Sequence, residues 1–143
     1  MANLHIREMT EADIPCVSGL LQSCFRWLGD REHFTPGQLA FLIGDRSSER
    51  TVREESRTRP HLVACEAARV VGVAAVHGNE LARLYVDPRY HRHGVGKALF
   101  EACEATIRQA GHEEMTVGAL VDGSVAFYQA MGMSITGRVV YEP

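Results

Sequence analysis

Hydrophobic and polar residues alternate near the start of the chain, and a longer block with helical features follows. Residues 4–9 alternate and predict a first strand. Residues 11–27 follow Thr10, which is suited to cap a helix N-terminus, and acidic residues occupy the first turn, so a helix is predicted there. Gly29 and Asp30 are expected to end this helix.

The next part of the chain combines a short apolar block with a long charged one. Residues 36–44 predict a second short helix. Residues 45–60 are dense in Arg, Glu and Ser and fit either a solvated helix or a mobile loop. Apolar and β-branched blocks then predict strands joined by short turns, at residues 61–66, 70–76 and 80–86.

The last part of the chain alternates between helix and strand. A helix is predicted after Gly94 and Gly96, and it is expected to stop at Gly111. The remaining predicted elements are a strand at residues 115–121, a helix from Asp122 or Ser124 to residue 131, and a strand at residues 133–141. The whole order is β-α-α-β-β-β-α-β-α-β.

Composition narrows the class of protein. The 143 residues are expected to form a single domain, residues 1–143, long enough to bury a core. Hydrophobic content of 45% and charged content of 23% are ordinary for a globular protein. The net charge of −3 argues against a general nucleic-acid binder, and no apolar run approaches the length of a membrane span. Neither nucleic acid nor membrane is therefore an expected partner.

Cysteine and histidine offer no persuasive metal site. The four cysteines are scattered without a CxxC pair, which fits reduced thiols in a cytoplasmic protein. His91 and His93 form the best histidine pair, but no neighbouring carboxylate or cysteine completes a ligand set. No metal is expected.

The strongest chemical signal lies in residues 84–99. A strand runs through a Pro-containing turn into a basic loop that opens a helix, where unpaired backbone N–H groups attract a phosphate. Gly94 and Gly96 let a ligand approach the main chain closely. Basic side chains add positive charge around the loop: Arg89, Arg92 and Lys97.

Two familiar phosphate loops do not fit this segment. A P-loop needs glycine where His91 stands and Ser or Thr where Ala98 stands, and a dinucleotide fingerprint needs glycine at Leu99. The pattern resembles motif A of the GNAT family of N-acetyltransferases, Gln/Arg-x-x-Gly-x-Gly/Ala after a strand, with His91 at the Gln/Arg position. The alternative is an ordinary strand-to-helix turn whose glycines serve packing.

A second segment, residues 127–133, resembles motif B of the same family. The resemblance implies that Tyr128 lies near the sulfur of coenzyme A and protonates the departing thiolate, a role that suits a phenol with a reference pKa near 10. Packing on the sheet is the alternative role for Tyr128. The chain departs from the motif at Val121, where many members carry Asn, and at Met133, where they carry Phe.

Glu80, at the start of a predicted strand, is the third candidate. The family's protein-lysine acetyltransferases carry a Glu at the matching place, where it acts through water as a general base, and the resemblance implies the same for Glu80. A solvent-facing Glu at a strand edge is an equally open alternative, and His77 is a weaker candidate for the base.

Together the two motifs imply a GNAT-type α/β fold, with a mixed, mostly antiparallel central sheet flanked by helices. They imply acetyl-CoA as co-substrate, with the pyrophosphate on the loop amides and the pantetheine arm along the strand before the loop. A backbone N–H of that strand would polarise the acetyl carbonyl. The expected cofactor-binding residues are Leu84, Tyr85, Val86, His91, Arg92, His93, Gly94, Val95, Gly96, Lys97 and Ser124.

The implied activity is direct transfer of the acetyl group to a primary amine on a small molecule or protein, in a ternary complex. Aromatic residues could line the acceptor site, although core packing explains them equally well: Phe25, Trp27, Phe34 and Phe41. A non-catalytic domain that binds or senses acyl-CoA is the rival function. The amine acceptor is the expected partner. The sequence does not decide whether the chain forms a homodimer.

Overall fold

The computed structural model describes residues 4–119 and 122–137, which form one α/β unit. The strands are β1 (Leu4–Glu8), β2 (His61–Glu66), β3 (Arg69–His77), β4 (Glu80–Val86) and β5 (Thr116–Val117). The helices are α1 (Ile14–Glu32), α2 (Pro36–Phe41), α3 (Glu49–Ser56), α4 (Val95–Gln109) and α5 (Asp122–Ala130).

The strands form one sheet in the order β1-β2-β3-β4-β5. Every neighbouring pair is antiparallel except β4 and β5, which are parallel. The predicted bounds of β2 and β4 are confirmed, and β3 extends one residue further at each end than predicted. The predicted fold class, a mixed and mostly antiparallel sheet flanked by helices, is also confirmed.

Helices cover both faces of the sheet and give the protein two apolar clusters. On one face α1 and Val52 of α3 pack against alternate strand residues such as Val63 and Val73. On the other face α4 and Tyr128 of α5 pack against Val71 and neighbouring strand residues. The two-residue periodicity of the strands produces this division, because successive side chains point to opposite faces.

An extra residue in β4 interrupts its pairing with β3. Ala75 pairs with Arg83 and Val76 pairs with Leu81, so β4 advances by two residues where β3 advances by one. Ala82 is therefore the extra residue of a β-bulge, which bends a strand and redirects its side chains. Within the described residues, β5 pairs only with Glu80 and Leu81, so the rest of β4 borders a gap on that side.

The predicted end of the first helix is wrong. Helix α1 continues through Gly29 to Glu32, and His33 ends it in a left-handed conformation, with φ of 54° and its N–H donated to the Gly29 carbonyl. Gly29 is buried, and a Cβ built on it would lie 3.0 Å from Cδ1 of Leu39. This glycine allows a close helix contact and does not terminate the helix.

The charged stretch before β2 contains a helix that is only partly solvated. Ser48 caps α3 by accepting a hydrogen bond from the Thr51 N–H. Val52, a residue of this helix, is fully buried. The predicted second helix extends beyond α2 as a π-helical turn over Leu42–Arg46. Such turns are rare and are often found at functional sites.

The end of the chain differs in part from the prediction. Strand β5 spans only Thr116–Val117, residues 133–137 form no strand, and the rest of the last predicted strand lies outside the described residues. Val121 lies outside them as well.

In the part of the chain that the structure describes, no helix is long and apolar enough to cross a membrane.

Candidate active site

The loop between β4 and α4 adopts the conformation that its glycines permit. Asp87 accepts a hydrogen bond from the Arg89 N–H and caps a 3₁₀ turn at Pro88–Tyr90. Gly94 has φ of 79°, a left-handed conformation that other residues adopt only with strain, and α4 begins at the next residue. The first amides of α4 have no intrahelical partner, and such amides at a helix N-terminus are able to bind an anion.

The basic side chains around this loop have different roles. Arg92 and Lys97 are exposed and border the larger of the two cavities described below, where they can contact a phosphate. Arg89 instead forms a two-point ion pair with Asp87, at 3.2 Å from Nε to Oδ1 and 2.9 Å from the terminal nitrogen to Oδ2. This pair lowers the pKa of Asp87. The positive charge that Arg89 was expected to add around the loop is therefore largely balanced by the Asp87 carboxylate.

Gly96 allows the loop to approach α5. A Cβ built on Gly96 would lie 3.2 Å from Cε1 of Phe127, which is tighter than most contacts in proteins. Gly94 has no atom within 4 Å of its built Cβ, so its requirement is conformational. The two glycines of the motif therefore serve separate purposes.

The larger cavity, of about 580 Å³, extends from this loop to α5. All of the predicted cofactor-binding residues except His93 line it: Leu84, Tyr85, Val86, His91, Arg92, Gly94, Val95, Gly96, Lys97 and Ser124. Tyr128 lines it too. The ring of His93 is exposed and lies edge-on to Tyr90, with centroids 6.1 Å apart.

Helix α1 supplies a wall of this cavity that the sequence did not predict. Trp27 lines the cavity, packs edge-on against the His91 ring at 4.7 Å and carries the Arg31 guanidinium over its own face at 4.5 Å. The spacing of Trp27 and Arg31, one helical turn apart, was the available sequence signal. His91 is thus held between β4 and α1.

The Val86 carbonyl, at the end of β4, contacts two side chains. The Cys24 thiol donates to this oxygen at 3.2 Å, and Nε2 of His91 lies 3.2 Å from it. Burial raises the pKa of Cys24 to about 12, so the group is a thiol at neutral pH. A buried thiol of this kind is a poor nucleophile.

Tyr128 lies on α5 between the two cavities, with 9% of its surface exposed. Its ring packs against Phe127 at 5.2 Å and against Phe100 at 6.3 Å, which fixes its position. Burial raises the pKa of Tyr128 above the usual range for a phenol. The hydroxyl therefore stays protonated at neutral pH.

A smaller cavity, of about 250 Å³, lies on the other side of Tyr128. Phe25 and Phe34, two of the aromatic residues expected at the acceptor site, line it. Trp27 lines the larger cavity and Phe41 lines neither. The two cavities share the residues Leu28, Leu84, Tyr85, Ser124 and Tyr128.

Two arginines and a glutamate form a charged cluster at the smaller cavity. Glu55 accepts a hydrogen bond from Arg46 at 2.7 Å and another from Arg83 at 2.6 Å. Arg83 is buried, and the two guanidinium groups lower the pKa of Glu55 in spite of its desolvation. The sequence did not predict this cluster.

Glu80 lies apart from this cluster, at the first position of β4. It pairs with His77 and Thr116 and is half-buried. It is not among the residues that line either cavity, although its neighbour Leu81 lines the smaller one. Its predicted role as a base therefore requires a connection through water.

Metal ligation has no support from side-chain clusters in residues 4–119 and 122–137. No group of three or more His, Cys, Asp or Glu residues is close enough to hold an ion there.

Comparison with known proteins finds matches both to the sequence of this chain and to its fold. The model of an acetyltransferase (GNAT) domain matches residues 31–142, which is most of the chain. The fold is also similar to that of a GCN5-related N-acetyltransferase from Rhodopseudomonas palustris, with a TM-score of 0.82 and 21% identity over 92% of this chain and 81% of that one.

Two further solved structures were determined with ligands. The PaiA N-acetyltransferase of Thermoplasma acidophilum, in complex with coenzyme A, has a TM-score of 0.76 and 19% identity over 90% of this chain and 87% of that one. An aminoglycoside acetyltransferase from an uncultured soil metagenomic sample, in complex with sisomicin, has a TM-score of 0.69 and 20% identity, covering 99% and 95%. At these identities the likeness concerns the fold.

Proposed function

We propose that this chain, which belongs to the GNAT acetyltransferase family, transfers the acetyl group of acetyl-CoA directly to a primary amine in a ternary complex. One observation carries the proposal. The two cavities share Leu84, Tyr85 and Tyr128, so a donor in the larger cavity and an acceptor in the smaller one would meet beside Tyr128.

The lining of the larger cavity supports coenzyme A as the donor. The free amides at the start of α4, with Arg92 and Lys97 beside them, suit the pyrophosphate. Gly94, which has no atom within 4 Å of its built Cβ, leaves space for close approach to the backbone. The β4 residues that border the gap, Leu84 to Val86, offer backbone groups for a pantetheine arm, which carries amide groups of its own.

Acetyl transfer forms a C–N bond and breaks the C–S bond of the thioester. In our proposal Tyr128 donates its proton to the departing thiolate, and a backbone N–H of β4 stabilises the oxyanion. The amine loses its proton to Glu80 through water. Support for a direct transfer comes from Cys24 and Cys103, whose burial raises each pKa to about 12 and leaves them unsuited to carry the acetyl group.

A thiol-release assay tests this function. The protein is incubated with acetyl-CoA and a panel of amines, amino acids, polyamines, aminoglycosides and peptides, and released coenzyme A is measured against a protein-free control. We expect release that depends on both the protein and an amine. Binding of acetyl-CoA without release by any acceptor would instead support an acyl-CoA-binding or sensing domain.

A further inference from the structure

The smaller cavity has a charge that bears on its acceptor. Arg46 and Arg83 line it, and no acidic side chain lines it within the described residues. Glu55, which does not line the cavity, contacts both guanidinium groups, so the cluster holds two positive charges and one negative charge. The cavity therefore has a surplus of positive charge.

The two arginines differ in accessibility. The Arg83 side chain is 5% exposed, while the Arg46 side chain is 40% exposed. A guanidinium has five N–H donors, and Arg46 uses one terminal nitrogen for Glu55 in its only side-chain hydrogen bond to a described residue. Arg46 thus retains donors that a ligand entering from solvent can reach.

The backbone around Arg46 is fixed by buried contacts. Arg46 is the last residue of the π-helical turn, and the next residue, Ser47, is fully buried. The Ser18 hydroxyl of α1 donates to the Ser47 carbonyl at 2.6 Å. A guanidinium held from both its backbone and its Glu55 contact loses little entropy when it binds a ligand.

Apart from hydroxyl-bearing residues such as Ser124 and Tyr128, the remaining walls of the cavity are mainly apolar, and its size is modest. Phe25, Phe34, Leu42 and Leu81 contribute to these walls. The volume of about 250 Å³ falls below that of cavities that hold drug-sized ligands. A compact, apolar molecule with one anionic group matches this lining.

We propose that the smaller cavity takes a small amino acid with an apolar side chain as the acceptor, and that Arg46 binds its carboxylate. This inference rests on the acetyl transfer proposed above. The carboxylate is held by charge-assisted hydrogen bonds from the guanidinium fork, while the amino group faces Tyr128. Arg46 is then the residue that distinguishes an amino acid from a simple amine.

The same charges act against polycationic acceptors. A polyamine or an aminoglycoside brings several ammonium groups, and each is repelled by the unbalanced guanidinium charge. A single ammonium beside Arg46 and Arg83 is shifted toward its neutral form, because a nearby like charge disfavours protonation. The neutral amine is the form that attacks a thioester.

Matched pairs of acceptors test the inference. Leucine is compared with isopentylamine, and phenylalanine with phenethylamine, in the thiol-release assay with acetyl-CoA. We expect kcat/KM for the amino acid to exceed that for the matched amine by about 10- to 100-fold, the range for hydrogen bonds to a charged group. In the Arg46→Gln variant this ratio falls to about one, mainly through KM.

Arg50→Gln is the matched control, because Arg50 is an exposed arginine on α3 that pairs with Glu54 and lines neither cavity. It should keep the wild-type ratio. Calorimetry of leucine against the protein with coenzyme A bound gives a second readout without turnover, and binding should be lost in Arg46→Gln. An unchanged melting temperature shows that each variant is folded.

The outcomes separate this inference from the proposed function. Equal turnover of amino acids and amines supports acetyl transfer and overturns the carboxylate site. Leucine binding that requires Arg46, without thiol release, supports the site and contradicts the transfer. If no amino acid binds and none is turned over, the inference is overturned, whatever other acceptors do.

Discussion

Gly96 and Phe127 pack closely, so the start of α4 and the helix that carries Tyr128 form one packed unit. A Cβ on Gly96 would lie 3.2 Å from Cε1 and 3.3 Å from Cζ of Phe127. Phe127 in turn packs against the Tyr128 ring. A change at the loop is therefore transmitted to the proposed proton donor through one side chain.

Substitution of this glycine tests the contact. Gly96→Val should push Phe127 aside and weaken acetyl-CoA binding by about tenfold or more, ~1.4 kcal/mol. Because a ligand that binds the native state raises the melting temperature, the shift caused by acetyl-CoA should shrink or vanish. Gly19→Ala is the control, since Gly19 is an exposed helical glycine with no atom within 4 Å of its built Cβ. A full thermal shift in Gly96→Val would show that the contact yields easily.

Tyr128→Phe tests the proton donor. The variant keeps the ring that packs between Phe100 and Phe127 and removes only the hydroxyl. We expect kcat to fall by about 10²-fold, with little change in acetyl-CoA affinity, as for loss of a general acid. Tyr90→Phe removes a phenolic hydroxyl from the loop end of the same cavity and should keep wild-type kcat. Wild-type turnover in Tyr128→Phe would reduce Tyr128 to a packing role.

The strand bounds and the loop conformation around the larger cavity could be predicted from the sequence because their determinants are local. The bounds of β2 and β4 follow from alternating residues between turn residues, and the loop conformation follows from Gly94 and Gly96. The motifs therefore identified most of the residues around the larger cavity without a tertiary contact.

The smaller cavity, where we propose that the acceptor binds, depends on contacts between distant residues, which the periodicity of the sequence does not reveal. Glu55 belongs to a charged stretch that fits a solvated helix, yet it lies between Arg46 and Arg83. The bulge at Ala82 leaves no signature in the alternation of β4. Gly29 has the sequence signal of a helix end, but its role follows from the approach of Leu39.

Glu80→Gln tests the proposed base through the pH dependence of turnover. At low pH the amine is largely protonated, so loss of the base should reduce kcat/KM most there. At high pH the amine deprotonates in solution, and the variant should recover toward wild type. The half-buried Glu66, at the end of β2, offers a matched Glu→Gln control outside both cavities.

The shape of the profile decides the role of Glu80. Equal loss at every pH would indicate that Glu80 positions the acceptor. No loss at any pH would leave it a strand-edge residue, and His77 would be the next candidate.

A partly buried ion pair should make the fold sensitive to acid. Arg7 donates to both carboxylate oxygens of Asp13, at 2.7 and 2.9 Å, and Asp13 also accepts from the Thr10 N–H. These bonds lower the pKa of Asp13 below its unfolded value. The unfolded chain therefore binds the proton first, so this stability is present above about pH 4 and is lost as pH falls further.

Urea unfolding of wild type and Asp13→Asn at several pH values measures the effect. The substitution should cost about 1 kcal/mol at neutral pH, because the Arg7 side chain is 39% exposed and can bond to water instead, and less at low pH. Asp30→Asn, an exposed aspartate late in α1, is the comparison and should behave as wild type. A cost of Asp13→Asn that is constant with pH would refute the ionic origin.

Bisubstrate kinetics tests the central claim most directly, namely that donor and acceptor occupy the two cavities at once and meet at Tyr128. With an amine that turns over, initial rates are measured at several fixed concentrations of acetyl-CoA while the amine is varied. We predict double-reciprocal lines that intersect, because direct transfer requires both substrates to be bound together. Parallel lines, with coenzyme A released before the amine binds, would show a covalent acetyl-enzyme and contradict the account.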